Sequence, residues 1–289
     1  MGTPILQVKG LHKEFGGVIA LHNVSFDVAR GEVFAVIGPN GAGKTTLFNL
    51  ISGALPATSG EVYFEGAPII GLEPHEIAAR GLVRTFQTVQ IFGNMTILEN
   101  VMVGRHTKMH YGLLDAALRL PRARAEERQA RDEAMQRLEL VGLADKAQAS
   151  AASLSFGQQR VLEAARALAL DPKLILFDEP GAGLTRAEVD ELDRLIQQLR
   201  DRGITVVLVE HNMELVMGIA DRVMVLDYGQ KIADGTPLQV QQNPRVIAAY
   251  LGAETFTAMP AFTNNHHATA NDAGPSLDSL PGGNHAANQ

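Results

Sequence analysis

The chain has 289 residues, of which 46% are hydrophobic, so it is long enough to bury the core of one large domain. It contains no cysteine, which excludes disulfides, thiolate metal sites and cysteine nucleophiles and favours a reducing compartment. The net charge of −7 argues against a general nucleic-acid surface. We expect neither a secretion signal nor a membrane-spanning helix, because no apolar run approaches the roughly 18 residues that a span needs.

The N-terminal part of the chain carries strand signals of two kinds. Half-exposed antiparallel strands are predicted where apolar and polar residues alternate, in ILQVKG, NVSFDVA and EVYFEG. A continuous apolar run follows at 32–38, EVFAVIG, and ends at a glycine-rich turn. Behind that turn KTTLFNLISG predicts a helix that closes at Gly53. The order is therefore strand, glycine-rich loop, helix.

Between residues 87 and 160 the strand signals disappear and helical spacing takes over. Pro121 opens a charged segment that ends at Gly142, with apolar residues at one helical face: Ala134, Met135, Leu138 and Val141. Its arginines alternate with acidic residues, which is typical of a solvated helix face rather than a nucleic-acid surface. We expect a helical subdomain over about 90–160, inserted into an α/β domain.

The C-terminal half returns to strands of the buried, parallel kind. They are predicted at 174–178 (LILFD), 204–210 (ITVVLVE) and 222–227 (RVMVLD), which together with the N-terminal strands indicates a mixed sheet. Thr185 and Glu188 form a capping box for a helix that Gly203 ends. After Gly252 the composition predicts a disordered tail over 253–289, in which the adjacent histidines are not expected to bind metal.

The glycine-rich turn GPNGAGKT, residues 38–45, has the spacing of a phosphate-binding loop. Its glycines let backbone N–H groups face a β-phosphate, its lysine adds a point charge at the β- and γ-oxygens, and its threonine offers a hydroxyl to Mg²⁺. The following threonine is placed for the α-phosphate. The expected nucleotide contacts are Gly38, Pro39, Asn40, Gly41, Ala42, Gly43, Lys44, Thr45 and Thr46.

Acidic and polar residues follow the predicted strands at their carboxyl ends, where ligands of open α/β sheets collect. Asp178 is expected to hold Mg²⁺, and Glu179 is the predicted general base for water that attacks a γ-phosphate. Without the phosphate loop, this acidic pair would be interpreted as a helix cap. His211 is placed to reach a γ-phosphate oxygen, although a single histidine after a strand is usually structural. Gln87, in RTFQ, does not indicate a functional site without the other motifs, because a glutamine at the end of a short strand is a common surface residue.

These motifs in this order, together with LSFGQQR at 154–160, resemble the ATP-binding subunit of an ABC transporter over about residues 4–252. We call residues 154–160 the signature segment. The resemblance implies an α/β P-loop ATPase with a mixed-sheet core, an N-terminal antiparallel β subdomain and the inserted helical subdomain. It also implies ATP and Mg²⁺ as cofactors.

The resemblance further implies roles that the residues alone do not give. The start of the signature segment would complete the γ-phosphate site of a second ATPase subunit, through Ser155, Gly157 and Gln158. Gln87 would sense the γ-phosphate and the metal. Phe15 would stack on adenine, with a place in the core as the alternative.

Within the superfamily, the phrases ARGLVRTFQ, MTILENVMVG, VEHNMELVM and RVIAAYLG are most similar to ATPase subunits of branched-chain amino acid importers. Urea and amide importers are the next most similar. Two positions depart from the common pattern. Phe156 replaces a glycine, and Thr185 stands where many relatives have Asp or Asn, so its side chain is expected to cap the helix that follows it.

The expected protein is an ATPase that dimerises around two MgATP and drives a membrane permease at the cytoplasmic face of the cell membrane. Its implied partners are the permease subunits, a second ATPase subunit that is either a copy or a relative, and indirectly an extracytoplasmic solute-binding protein. No nucleic acid is expected. The alternatives are an exporter ATPase of the lipopolysaccharide type, a soluble ABC protein acting on nucleic acid or ribosomes, and a phosphate-binding module without turnover.

Overall fold

Two β-sheets organise the part of the chain that the computed structural model describes, which is residues 3–85, 90–105 and 121–251. Within these ranges the strands are β1 (Leu6–Phe15), β2 (Val18–Val28), β3 (Val33–Ile37), β4 (Ser59–Phe64), β5 (Ala67–Pro68), β6 (Leu82–Arg84), β7 (Leu174–Asp178), β8 (Thr205–Val209), β9 (Arg222–Asp227) and β10 (Gln230–Gly235).

The first sheet contains the predicted N-terminal strands in the order β2-β1-β4-β5, with every neighbouring pair antiparallel. Buried and more exposed residues alternate along β2, as expected for a strand with one face in the core. The prediction of antiparallel strands is therefore confirmed. These strands pair among themselves, however, and do not join the parallel strands in one sheet.

The second sheet has the order β10-β9-β3-β8-β7-β6 and is the mixed sheet. The pairs from β9 to β6 are parallel, and only the pair of β10 with β9 is antiparallel. Every residue of β3, β7 and β8 is buried, because hydrophobic clusters cover both faces of the sheet. Continuous apolar runs form these central strands for that reason.

Helices of the described residues surround the two sheets. They are α1 (Lys44–Ile51), α2 (Pro74–Ala79), α3 (Ile97–Arg105), α4 (Pro121–Leu140), α5 (Phe156–Leu168), α6 (Arg186–Asp201), α7 (Met213–Ile219), α8 (Pro237–Gln241) and α9 (Pro244–Leu251). None of them is long and apolar enough to cross a membrane. The predicted capping box at the start of α6 is present, with the Thr185 hydroxyl accepting from the Glu188 backbone.

The predicted helical segment, about 90–160, contains α3, α4 and the first turn of α5, and these three helices share a hydrophobic cluster of their own. Ala134 and Leu138 are buried in this cluster, while Met135 and Val141 pack at its edge. Gly142 has a φ of 72°, a left-handed conformation that suits the glycine predicted to end the helix. Residues 106–120 of this segment lie outside the described ranges, so its extent as a subdomain stays a prediction.

The described residues belong to a unit that spans Met1–Thr255. Residues 252–289, which include the tail predicted to be disordered, lie outside the described ranges. Within the unit, the strands β3, β7 and β8 end at one edge of the sheet, since Val209 pairs with both Val36 and Asp178. The loops that leave this edge carry the residues selected from the sequence.

Candidate nucleotide-binding site

The phosphate-binding loop connects β3 to α1 and is shaped by glycines that no other residue could replace. Gly38 and Gly43 have φ values of 153° and 100°. A Cβ atom on Gly38 would lie 2.1 Å from the Leu226 carbonyl oxygen, and one on Gly43 would lie 2.7 Å from that of Ala20. The loop can therefore adopt this path only because both positions lack a side chain.

Lys44 folds back over the loop that precedes it. Its ammonium group donates to the carbonyl oxygens of Gly38 at 2.6 Å and Pro39 at 3.0 Å, and the side chain is buried. Burial lowers the pKa of Lys44, while the negative charges of Glu179 and Asp178 oppose that shift. The structure thus brings these three predicted site residues within electrostatic reach of one another.

Asp178 ends strand β7 and has only 1% of its side chain exposed. Its Oδ2 accepts from the Arg84 guanidinium at 2.7 Å, whereas Oδ1 is buried without a hydrogen-bond partner. Arg84 also donates to the Asn49 side chain at 2.7 Å and the Ser52 hydroxyl at 3.0 Å, both at the end of α1. Arg84 therefore joins Asp178 to the helix that follows the phosphate loop.

The free oxygen of Asp178 fits a divalent cation. A carboxylate oxygen and the exposed hydroxyl of Thr45 are both ligands that Mg²⁺ prefers. No cluster of three or more acidic, histidine or cysteine side chains suited to a metal occurs within the described ranges. The residues present are consistent with an ion whose other ligands are phosphate oxygens and water, as in other phosphoryl-transfer sites.

Glu179 has a φ of 50°, which places a residue with a side chain in the left-handed region. Such a conformation costs about 1–3 kcal/mol and is found most often at functional sites. Its backbone N–H donates to the Val209 carbonyl oxygen at 2.9 Å, which ties the turn to the neighbouring strand β8. The side chain is half-buried.

Glu210 is a buried carboxylate that the sequence analysis did not select. It is fully buried and accepts from the backbone N–H groups of Gly181 at 2.6 Å, His211 at 2.9 Å and Asn212 at 3.1 Å. It therefore holds the loop after Glu179 and the loop that carries His211 in one arrangement. The available signal was an acidic residue at the end of the apolar run ITVVLVE.

His211 lies in the loop between β8 and α7, and its side chain is 60% exposed. Phe15 ends strand β1 with 46% of its surface exposed, and the Lys13 ammonium lies 4.8 Å from its ring centroid. The structure therefore contradicts the core interpretation of Phe15. Gln87 lies outside the described residues, so its predicted role stays a prediction.

The signature segment contains the start of helix α5. Ser155 is its N-cap and accepts from the Gln158 backbone at 3.2 Å, while the Gln158 side chain accepts from the Ser155 backbone at 3.3 Å. The reciprocal pair is a capping box, which satisfies two of the otherwise unpaired groups at a helix start. The 13-residue helix places its positive dipole end at this point.

Tyr250 is a second residue that the sequence analysis did not single out, although RVIAAYLG contains it. Burial raises the pKa of Tyr250 to about 12. A hydrogen bond with the Gly38 backbone lowers this pKa, but by less than burial raises it. Its hydroxyl therefore remains protonated at neutral pH. Helix α9 in this way reaches the first residue of the phosphate loop.

Comparisons with known families agree with this geometry. The family model described as ABC transporter matches residues 21–182, and the one described as branched-chain amino acid ATP-binding cassette transporter matches residues 230–255. The first match covers more than half of the chain and includes the phosphate loop, the signature segment and Glu179. The second covers β10, α8 and α9, including Tyr250.

Two curated relatives match most of the chain. The high-affinity branched-chain amino acid transport ATP-binding protein BraF of Pseudomonas aeruginosa is 45% identical over 253 residues, which is 87% of this chain and 99% of the relative. The protein LivG of Escherichia coli, described in the same words, is 44% identical over 253 residues with the same coverage.

Solved structures share the fold as well as the sequence. The ADP conformation of an ATP-binding cassette of an ABC transporter is 36% identical, with a TM-score of 0.77 and coverage of 87% of this chain and 100% of that chain. A dimeric post-hydrolysis state of an ATP-binding cassette, bound to ADP and Pi, is 26% identical with a TM-score of 0.68. The match covers 80% of this chain and 98% of the chain in that structure.

The fold and the matched motifs define a P-loop ATPase of the cassette type, and the chain belongs to the ABC transporter family. It is an ATPase whose cofactors are ATP and Mg²⁺. The predictions of family, fold class, enzyme class and cofactors are confirmed. The roles assigned to individual residues stay proposals.

Replacing Arg84 with Met is expected to destabilise the protein by about 3–5 kcal/mol, because it leaves the buried Asp178 carboxylate without its cation. Chemical denaturation followed by circular dichroism measures this loss. Arg30→Met is the matched control, since the Arg30–Glu65 ion pair is exposed and should contribute about 1 kcal/mol or less. Equal losses in the two variants would contradict the assigned importance of the buried pair.

Proposed function

We propose that this chain is the ATP-hydrolysing subunit of an importer for branched-chain amino acids or a related small polar solute. The observation that carries the proposal is the 44–45% identity to BraF and LivG along 99% of their length. The match of residues 230–255 to a family model specific to branched-chain amino acid cassettes supports it. These observations favour import over the exporter and soluble alternatives.

The proposed catalytic arrangement follows from the loops at the carboxyl edge of the mixed sheet. Residues 38–46 bind the phosphates, while Asp178, Thr45 and Gln87 hold Mg²⁺ and its water. Glu179 orients and deprotonates the attacking water, a role that its left-handed backbone supports because such conformations are found most often at functional sites. His211 and Lys44 stabilise the charge on the γ-phosphate. Phe15 stacks on adenine.

The active unit is proposed to be a pair of cassettes with two MgATP between them. In this arrangement Ser155, Gly157 and Gln158 of one chain bind the γ-phosphate held by the other chain. The positive end of the α5 helix supports this, since helix starts bind phosphate groups. A cassette relative that is structurally similar to this chain has been solved as a dimer with ADP and Pi. The second chain is either a copy or a related ATPase.

The permease is proposed to dock on residues 87–101 at the cytoplasmic face of the membrane. Phe92 is 43% exposed, and Ile91 and Met95 are half-buried, which leaves apolar surface available at this segment. The cassette domain is proposed to span 4–252, and residues 253–289 to form a tail without a core of its own. A solute-binding protein would contact the permease, not this chain.

The substrate is tested by uptake of radiolabelled leucine, isoleucine and valine in a strain that lacks this gene. We expect uptake to be lost, restored by the unchanged chain and not restored by Lys44→Ala, which removes the phosphate-loop cation. Immunoblots show whether the variant accumulates normally. Undiminished uptake of all three amino acids, with loss of another solute, would assign the importer to that solute instead.

Glu179→Gln is expected to lower ATP turnover by at least about 100-fold while nucleotide binding is kept, since it preserves size and removes the base. The ATP-bound pair should then accumulate. Steady-state phosphate release and gel filtration with MgATP measure the two effects. A variant that keeps most of its turnover would refute the assignment of the general base.

The placement of Ser155 across the pair is tested by mixing two inactive variants, Lys44→Ala and Ser155→Arg. If each ATP lies between Lys44 of one chain and Ser155 of the other, a mixed pair has both lesions in one site and leaves the other intact. We therefore expect part of the ATPase activity to return. Affinity tags on the two variants verify that mixed pairs form, and no recovery in such pairs would show that Ser155 serves its own chain.

A further inference from the structure

Glu188 connects two helix starts that belong to different motifs. Its Oε2 accepts from the Thr185 backbone and from the Thr185 hydroxyl, both at 2.9 Å, which caps helix α6. Its Oε1 reaches the signature segment, because a Cβ atom placed on Gly157 would lie 2.1 Å from it. Only a glycine can stand at residue 157 while this carboxylate occupies its position.

The hydrogen bonds to Glu188 agree with this geometry. Those from the Thr185 backbone and side chain, followed by those from the Gly157 backbone and the Ser155 side chain, hold the pKa of the Glu188 carboxyl below its usual value. The carboxylate is therefore ionised at neutral pH. An anion from the same chain lies at the positive end of helix α5.

A second contact joins the same two segments. The Phe156 ring lies against Gly183, where an added Cβ would be 3.3 Å from the ring, and the Arg160 guanidinium lies 5.3 Å from the ring centroid. The aromatic residue that replaces the usual glycine thus packs on the loop of residues 181–185, which follows Glu179. The signature segment and this loop are linked within one chain by Glu188 and by Phe156.

The Glu188 carboxylate competes with the proposed ligand of the signature segment, which is the γ-phosphate of the ATP that the partner chain binds. Ser155 has one hydroxyl proton and can donate it to a single acceptor. A γ-phosphate and the Glu188 carboxylate are both anions, so they repel each other at the same helix start. Binding of the partner's phosphate therefore requires Glu188 to withdraw.

We propose that Glu188 is a positioning residue that holds Ser155 and Gly157 in the separated chain and releases them when two chains close around ATP. This inference rests on the proposed function, because it takes Ser155 as a ligand of the partner's ATP. Its release also frees the 181–185 loop, which lies next to the chain's own Glu179. Phosphate binding at one site is thereby coupled to the catalytic loop of the other.

The test uses the Glu179→Gln chain, in which ATP-bound pairs are expected to accumulate, and measures by light scattering the ATP concentration that gives half-maximal pairing. Adding Glu188→Gln removes the negative charge that competes with the γ-phosphate. We therefore expect the ATP concentration for half-maximal pairing to fall roughly three- to tenfold. Two matched controls separate this effect from the loss of a cap or a charge.

The first control is Glu76→Gln, since Glu76 caps helix α2 by accepting from the Glu73 backbone N–H at 2.8 Å. The second is Glu191→Gln, which removes an exposed carboxylate one turn further along α6. Neither should change the ATP concentration for pairing, and thermal melting compares the effects of the three substitutions on folding.

Unchanged or weakened pairing of the Glu188→Gln chain, in a parent that does pair, would overturn this inference alone. An equal fall in the Glu191→Gln control would also overturn it, because the effect would then be general charge repulsion. A parent chain that remains monomeric at every ATP concentration would overturn the proposed pairing of two copies, and this inference with it.

Discussion

The parallel register of strands β3, β7 and β8 is the constraint on which the site depends. Val209 of the central strand β8 pairs with Val36 on one side and Asp178 on the other, so three chain segments leave the sheet at one level. The phosphate loop, the Asp178–Glu179 pair and the Glu210–His211 pair are therefore adjacent although they are far apart in sequence. A shift of one residue in either pairing would turn Asp178 or its neighbours to the other face of the sheet.

Buried carboxylates then fix the loops at this edge. Asp178 is held by Arg84, and Glu210 accepts three backbone N–H groups from the loops on either side of it. Glu188 makes the corresponding connection for the signature segment. Because a buried charge without partners is costly, Asp178 and Glu210 each require a particular loop arrangement and stabilise it. Acidic side chains therefore order the loops of the nucleotide site. Of these side chains, only Asp178 contributes to the proposed metal site.

Much of this organisation could be predicted from local patterns. Continuous apolar runs identified β3, β7, β8 and β9, alternation identified the N-terminal strands, and capping signals located the start of α6. The phosphate loop was recognised because its glycine spacing reflects a backbone path that only glycine allows. The importance of Arg84, Glu210 and Tyr250 was missed, since an arginine, a glutamate or a tyrosine at a strand or helix end is common and gives no local signal of its partner.

Local patterns were sufficient to predict the central strands, the order of the nucleotide motifs and the family of the chain, because these depend on the period of hydrophobic residues and on residue types at fixed spacing. The folded structure was needed to show that β10 pairs with β9 and gives the parallel strands their antiparallel edge. It also decided that Asp178 keeps one oxygen free and that Glu188 reaches Gly157. Such contacts join residues that are distant in the chain, and their geometry follows from how whole sheets and helices pack.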